Sequence, residues 1–119
     1  MNRRTFGVEG ERAARDYLVS RGYRILEMNY RAGAGEIDII AGHRRTIVFI
    51  EVKRRASLTH GRPAEAVTPV KQRHILRTAM IYVQQNRLEG KPVRFDIIEI
   101  TGDEIRHIES AFDSTGYFR

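Results

Sequence analysis

The apolar run Ile47-Val48-Phe49-Ile50 leads without a break into Glu51-Val52-Lys53. A short continuous apolar stretch rich in β-branched residues reads as a strand covered on both faces, hence one in the middle of a sheet. Such a strand needs neighbouring strands beside it and helices over its faces, which restricts the chain to a layered α/β architecture. Its closing residues are charged, and charges rarely sit on a covered face unless something pairs with them.

The flanking segments supply the rest of that architecture. Phe6, Gly10, Ala13, Ala14, Tyr17 and Leu18 recur at helical spacing, and Gly22 follows as a natural C′ residue. Glu11 falls at the edge of this apolar stripe, about 100° from Gly10. Tyr23 to Tyr30 and Glu36 to Ala41 read as strands, with turns at Ala32–Gly35 and Gly42–Arg45, so that Thr46 to Arg54 completes an antiparallel meander. Ala56 to Ala66 has no clear period and reads as a loop. Thr68 before Pro69 is an N-cap followed by proline at the first helical position, opening a helix to about Asn86 with Ile75, Ala79, Tyr82 and Val83 on its apolar face. Val93 to Ile100 is a fourth strand, and Glu104 to Ile108 is a candidate fifth after the turn at Thr101–Asp103. The predicted order is αβββαβ, an α/β fold with a mixed central sheet flanked by helices, in which strands three and four are parallel through a right-handed crossover.

At 119 residues, without internal repeats or a linker, the chain reads as one domain spanning residues 1–119. There is no cysteine, which excludes disulfides, thiolate metal sites and cysteine nucleophiles and suits a cytoplasmic location. No apolar run approaches the ~20 residues of a membrane-spanning helix, and the basic Met1–Arg4 start is not followed by a signal-peptide stretch. The net charge of +6 favours polyanionic partners, though it also serves solubility.

Residues two apart in a strand share a face, so Glu36 goes with Asp38 and Glu51 with Lys53. If residue 41 opposes residue 46 across the Gly42–Arg45 turn, Asp38 faces Phe49 and lies diagonal to Glu51. Two carboxylates brought together suit a hard cation such as Mg²⁺ or Mn²⁺, which takes oxygen ligands. In that reading Asp38 and Glu51 are metal ligands, Glu36 is a further ligand or orients Lys53, and Lys53 meets charge developing on a phosphate. Glu11 reaches the same place from helix one. The plainer alternative is that Glu51 and Lys53 form a surface ion pair. His43, His60, His74 and His107 show no zinc-site spacing, Glu65 reads as solvated, and no serine has a base and orienter at a recognisable spacing.

Gly35-Glu36-Ile37-Asp38 followed by Glu51-Val52-Lys53 resembles the bipartite Asp…Glu-x-Lys motif of the restriction-endonuclease-like superfamily. The likeness continues through Gly10-Glu11, Tyr17-Leu18, Gly22-Tyr23, Asn29-Tyr30-Arg31, Phe49 to Arg55, Glu65 to Thr68, Lys71 and Arg94-Phe95-Asp96, and over nearly the whole chain it resembles the YraN-like family of bacterial proteins. That family is similar in fold and acidic motif to archaeal Holliday-junction resolvases. The resemblance implies a catalytic set of Glu11, Asp38, Glu51 and Lys53, a divalent metal, DNA as substrate and a homodimer as one possible assembly. Ile37 stands where the motif usually has proline.

Arg44, Arg45, Arg54, Arg55, Lys71, Gln72, Arg73 and His74 flank this set in sequence and are the candidate nucleic-acid contacts, with Lys71 and Gln72 at a helix N-terminus suited to phosphate. A solvated basic helix face is the plain alternative. No aromatic series interleaves with these residues, so the expected contacts are to phosphates and not to base edges. The functional expectation is a metal-dependent DNA endonuclease. The alternatives are a binding module of the same fold with little or no cleavage, and an adaptor in DNA processing.

Overall fold

The computed structural model of the protein describes residues 3–33, 35–55 and 67–113. The readings made for the Phe6 side chain, Ala34, the loop at 56–66 with His60 and Glu65, and the last six residues lie outside them. The element order is α1 (Arg3–Ser20), β1 (Arg24–Ala32), β2 (Gly35–His43), β3 (Thr46–Arg55), α2 (Pro69–Gln85), β4 (Val93–Thr101) and β5 (Glu104–Phe112). The strands form one mixed sheet in the order β1-β2-β3-β4-β5. All neighbours are antiparallel except β3 and β4, which run parallel through the α2 crossover.

The two faces of the sheet carry separate cores. Ala14 and Leu18 of α1 pack with Ile39, Val48, Ile50, Ile98 and Ile100 on one side. Ile75, Leu76, Ala79 and Tyr82 of α2 pack with Ile37, Ile40, Phe49, Phe95 and Ile97 on the other. β3 serves both, and Val48, Phe49 and Ile50 are each at most 1 % exposed, which is why its sequence does not alternate.

Local chemistry sets the helix ends. Gly22 at φ 88° lets the Tyr23 amide bond back to the Leu18 carbonyl (3.0 Å) and the Gly22 amide to Val19 (3.1 Å), closing α1 with a Schellman motif. Thr68 caps α2 by accepting the Lys71 amide on its hydroxyl at 3.2 Å.

The β2–β3 turn differs from expectation. His43 pairs with Thr46 and Ala41 with Val48, so the turn is the two-residue Arg44-Arg45, not Gly42–Arg45. Both arginines are left-handed, at φ 49° and 67°, the geometry of a type I′ turn whose twist matches the strands. Gly42 and His43 thereby join the ladder and the register moves by two. Ile39 pairs with Ile50, and continuing that register sets Asp38 opposite Glu51, not Phe49. The fifth strand is longer than expected, reaching Phe112, with a break in register between Phe95 and Ile97.

Candidate active site

Inward alternation fails at one point in β2. Ile37 belongs to the α2-side core and Ile39 to the α1-side core, although they are two residues apart. Asp38 sits at this switch. On β1, Asn29 is held at φ 52° between Met28 and Tyr30, which likewise face opposite cores. At this end of the sheet both helices can deliver side chains to one place.

Asp38 is fixed by the Val52 amide, which donates to its Oδ2 at 2.8 Å. Glu51, 6 % exposed, is close enough for the two carboxyl groups to share a proton. Lys71 of α2 places Nζ 3.0 Å from Glu51 Oε1, and Lys53 places Nζ 3.9 Å from the same oxygen. Around them a cleft of about 330 Å³ is lined by Gly35, Glu36, Asp38, Glu51, Lys71 and His74. Gly35 is required where β2 enters it, because a Cβ there would lie 2.3 Å from Thr78 Oγ1 and 2.9 Å from the His74 carbonyl.

The electrostatics follow from crowding acids in a partly dry place. Burial, and then the charge of Glu51, push the Asp38 carboxyl up to about 8. Burial also raises Glu11; a hydrogen bond with Asn29 opposes that, and Glu36 and Glu51 add to the rise. Burial works against the charge of Lys71, but Glu51 more than restores it and the net shift is upward. Burial lowers Lys53, with Glu51 only partly compensating.

This donor set fits a divalent cation. An aspartate forced to keep its proton beside a glutamate is relieved by a metal that takes both carboxylates, and Mg²⁺ commonly takes one or two, with water and phosphate completing its shell. Among the described residues no three acidic or histidine side chains close into a ligand cluster. Glu11 acts on Asp38 through charge, while Glu36 acts on Glu11 and pairs with Arg31 at 3.4 Å on the rim.

The candidate nucleic-acid residues divide into groups. Lys71 and His74 line the acidic cleft. Gln72 donates its side-chain amide to the Val67 carbonyl at 2.9 Å, and Arg73 lines a different groove with Ser110 and Phe112. Arg54 pairs with Glu9 at 3.0 Å and packs on Gly10, while Arg55 pairs with the buried Glu99 at 2.7 Å. Arg44 and Arg45 lie at the other end of the β2–β3 hairpin from Asp38, six strand steps or about 20 Å away.

Sequence reasoning missed two features. One is the αL Asn29 that holds Glu11. The other is a buried network on the α1 side: Asp96, fully buried, receives two bonds from Arg94 (both 2.9 Å), one from the Ser110 amide (3.0 Å), and contacts His107 Nε2 at 2.7 Å. His107 in turn meets the Tyr17 hydroxyl at 3.1 Å. The signal was present in Arg94-Phe95-Asp96, two charges entering an apolar strand.

Fold and site together define an α/β domain with a carboxylate pair and two lysines at the end of a mixed sheet. A model of the uncharacterised protein family UPF0102 matches residues 10–100. Similar curated proteins carry the same family name: one from Persephonella marina is 49 % identical, covering 90 % of this chain and 92 % of its own length. One from Lachnoclostridium phytofermentans is 46 % identical over 98 % and 99 %, and one from Thermodesulfovibrio yellowstonii 48 % over 94 % and 99 %. The chain belongs to the UPF0102 family, the YraN-like group its motifs resemble. Among the described residues no helix is long and apolar enough to cross a membrane.

Proposed function

We propose that the protein is a metal-dependent endonuclease that hydrolyses phosphodiester bonds in DNA in the cytoplasm, branched or junction structures included. The observation that carries this reading is the Asp38–Glu51 pair with Lys53 and Lys71 on one glutamate oxygen. Asp38 and Glu51 would hold Mg²⁺ or Mn²⁺, with Glu11 and Glu36 supplying outer negative charge. A bound cation supplies an acidified water and neutralises phosphate charge. The chain does the rest. The Val52 amide keeps Asp38 Oδ2 oriented, and Lys71 steadies Glu51 from α2. Lys53 stands next to Glu51, where it orients the attacking water or meets the charge growing on the phosphate oxygens. Phosphate on the flanking strand would be held by Lys71 and His74 at the cleft.

A second reading, a nucleic-acid-binding module without cleavage, is favoured by one observation: Lys71 at 3.0 Å neutralises Glu51 without any metal. Cleavage of labelled junction, flap, fork, single-stranded and plain duplex DNA with Mg²⁺ or Mn²⁺ separates the two. The nuclease reading expects metal-dependent cutting that Asp38→Ala, Glu51→Ala and Lys53→Ala each abolish while binding survives. Tight binding without cutting on any substrate gives the second reading.

A further inference from the structure

The Arg44-Arg45 turn puts two long cationic side chains where the backbone favours asparagine and glycine. Both are left-handed, at φ 49° and 67°. Each residue with a Cβ costs roughly 1–2 kcal/mol in that region. The turn closes a cleft of about 350 Å³ that is also lined by Arg24, His43, Thr46 and Lys91. Arg24, Arg44, Arg45 and Lys91 are all exposed. Among the described residues no carboxylate forms a salt bridge with any of these four. By contrast Arg31, Lys53, Arg54, Arg55 and Lys71, toward the acidic end, are each paired with one. A fold that carries strain to present unpaired cations at one end invites a polyanion there.

We propose that this end of the sheet is a second site, which holds the phosphate backbone of a nucleic-acid duplex through Arg24, Arg44, Arg45 and Lys91. It lies about 20 Å from the Asp38–Glu51 pair along the β2–β3 hairpin, a span of about six base pairs at 3.4 Å each. The substrate class is thus DNA with a duplex arm of at least that length beside the cut. That placement relative to a cut, though not the binding itself, rests on the nuclease reading.

The test is the double substitution Arg44→Asn with Arg45→Gly, which gives the turn its preferred residues. Binding to a duplex longer than the span is measured without divalent metal over a range of salt, beside a control that removes two charges from α1, Arg12→Gln with Arg15→Gln. The expected result is a turn variant that melts higher than the parent yet binds about tenfold more weakly, with the salt slope reduced by about two. The control changes binding less. Unchanged affinity and slope in the turn variant, or equal losses in turn variant and control, overturn the second site. If the intact chain then cuts DNA with Mg²⁺, the nuclease reading survives that loss. A turn-specific loss of binding with no cutting by the intact chain keeps the second site and ends the nuclease reading. Absence of DNA binding by the parent overturns both.

Discussion

Without a metal, burial and the charge of Glu51 favour the protonated form of Asp38. Its carboxyl is raised from an ordinary 3.8 to about 8, so the cost of ionising it is absent below about pH 4, grows as pH rises to about 8 and levels off above that. Asp38→Asn keeps an acceptor for the Val52 amide and removes that cost. The metal-free variant should therefore melt higher than the parent near pH 9, by about 3–8 °C, with the gap closing toward pH 4, as read by circular dichroism. On the nuclease reading, the same substitution should lower metal-dependent cleavage by about a hundredfold or more, because it would remove a proposed ligand. Lys71→Met tests the competing cation: with Glu51 released, Mg²⁺ affinity should rise several-fold while turnover falls, measured by calorimetry and single-turnover cleavage. At this scale the sequence was partly legible. Asp38, Glu51 and Lys53 stood out because charges in an apolar strand need a reason. The direct bond from Lys71 to Glu51 did not, because it joins two elements that are twenty residues apart in sequence.

Element by element, the strands and helices followed their patterns, since continuous burial on β3 and the Thr68-Pro69 start of α2 are local signals. The β2–β3 register was not local. It depends on whether arginines accept left-handed geometry, and nothing in Arg44-Arg45 announces that. The change of face at Asn29 and Asp38 was equally silent, because residues two apart there, Met28 with Tyr30 and Ile37 with Ile39, pack into opposite cores. Two outcomes belong to this scale. Gly35→Ala puts a Cβ against Thr78 and the His74 carbonyl, so α2 must shift; about 1–3 kcal/mol of stability should go in denaturant melts, and Lys71 should leave Glu51. Asp96 ties β4, β5 and Arg94 together. Burial pushes its carboxyl up, but bonds from His107, Arg94 and the Ser110 amide outweigh that and hold it below the ordinary range. Its contribution is present above the ordinary aspartate value and is lost as pH falls through the lower folded one. Asp96→Ala, which leaves Arg94 with only the more distant Glu109 carboxylate at 3.6 Å, should cost up to roughly 3–5 kcal/mol at neutral pH, and less in acid.

Across the whole molecule, charge is sorted along the sheet. The acidic cluster sits where β2 begins and β3 ends, with Arg31, Lys53, Arg54, Arg55 and Lys71 near it in ion pairs, while Arg24, Arg44, Arg45 and Lys91, which no described carboxylate pairs, surround the opposite turn. The net charge of +6 therefore gives little guide to where a polyanion would lie, and the sequence showed the basic residues flanking the motif without showing that Arg44 and Arg45 fold away from it. The arrangement suits a long, charged substrate that meets the molecule at more than one point. The claim beneath this reading is that Asp38 and Glu51 hold a divalent cation. Calorimetric titration of Mg²⁺ or Mn²⁺ into the intact chain and into Glu51→Gln tests it most directly. The account predicts saturable binding to the intact chain that the substitution removes or weakens at least tenfold; no binding to either, or equal binding to both, would contradict it.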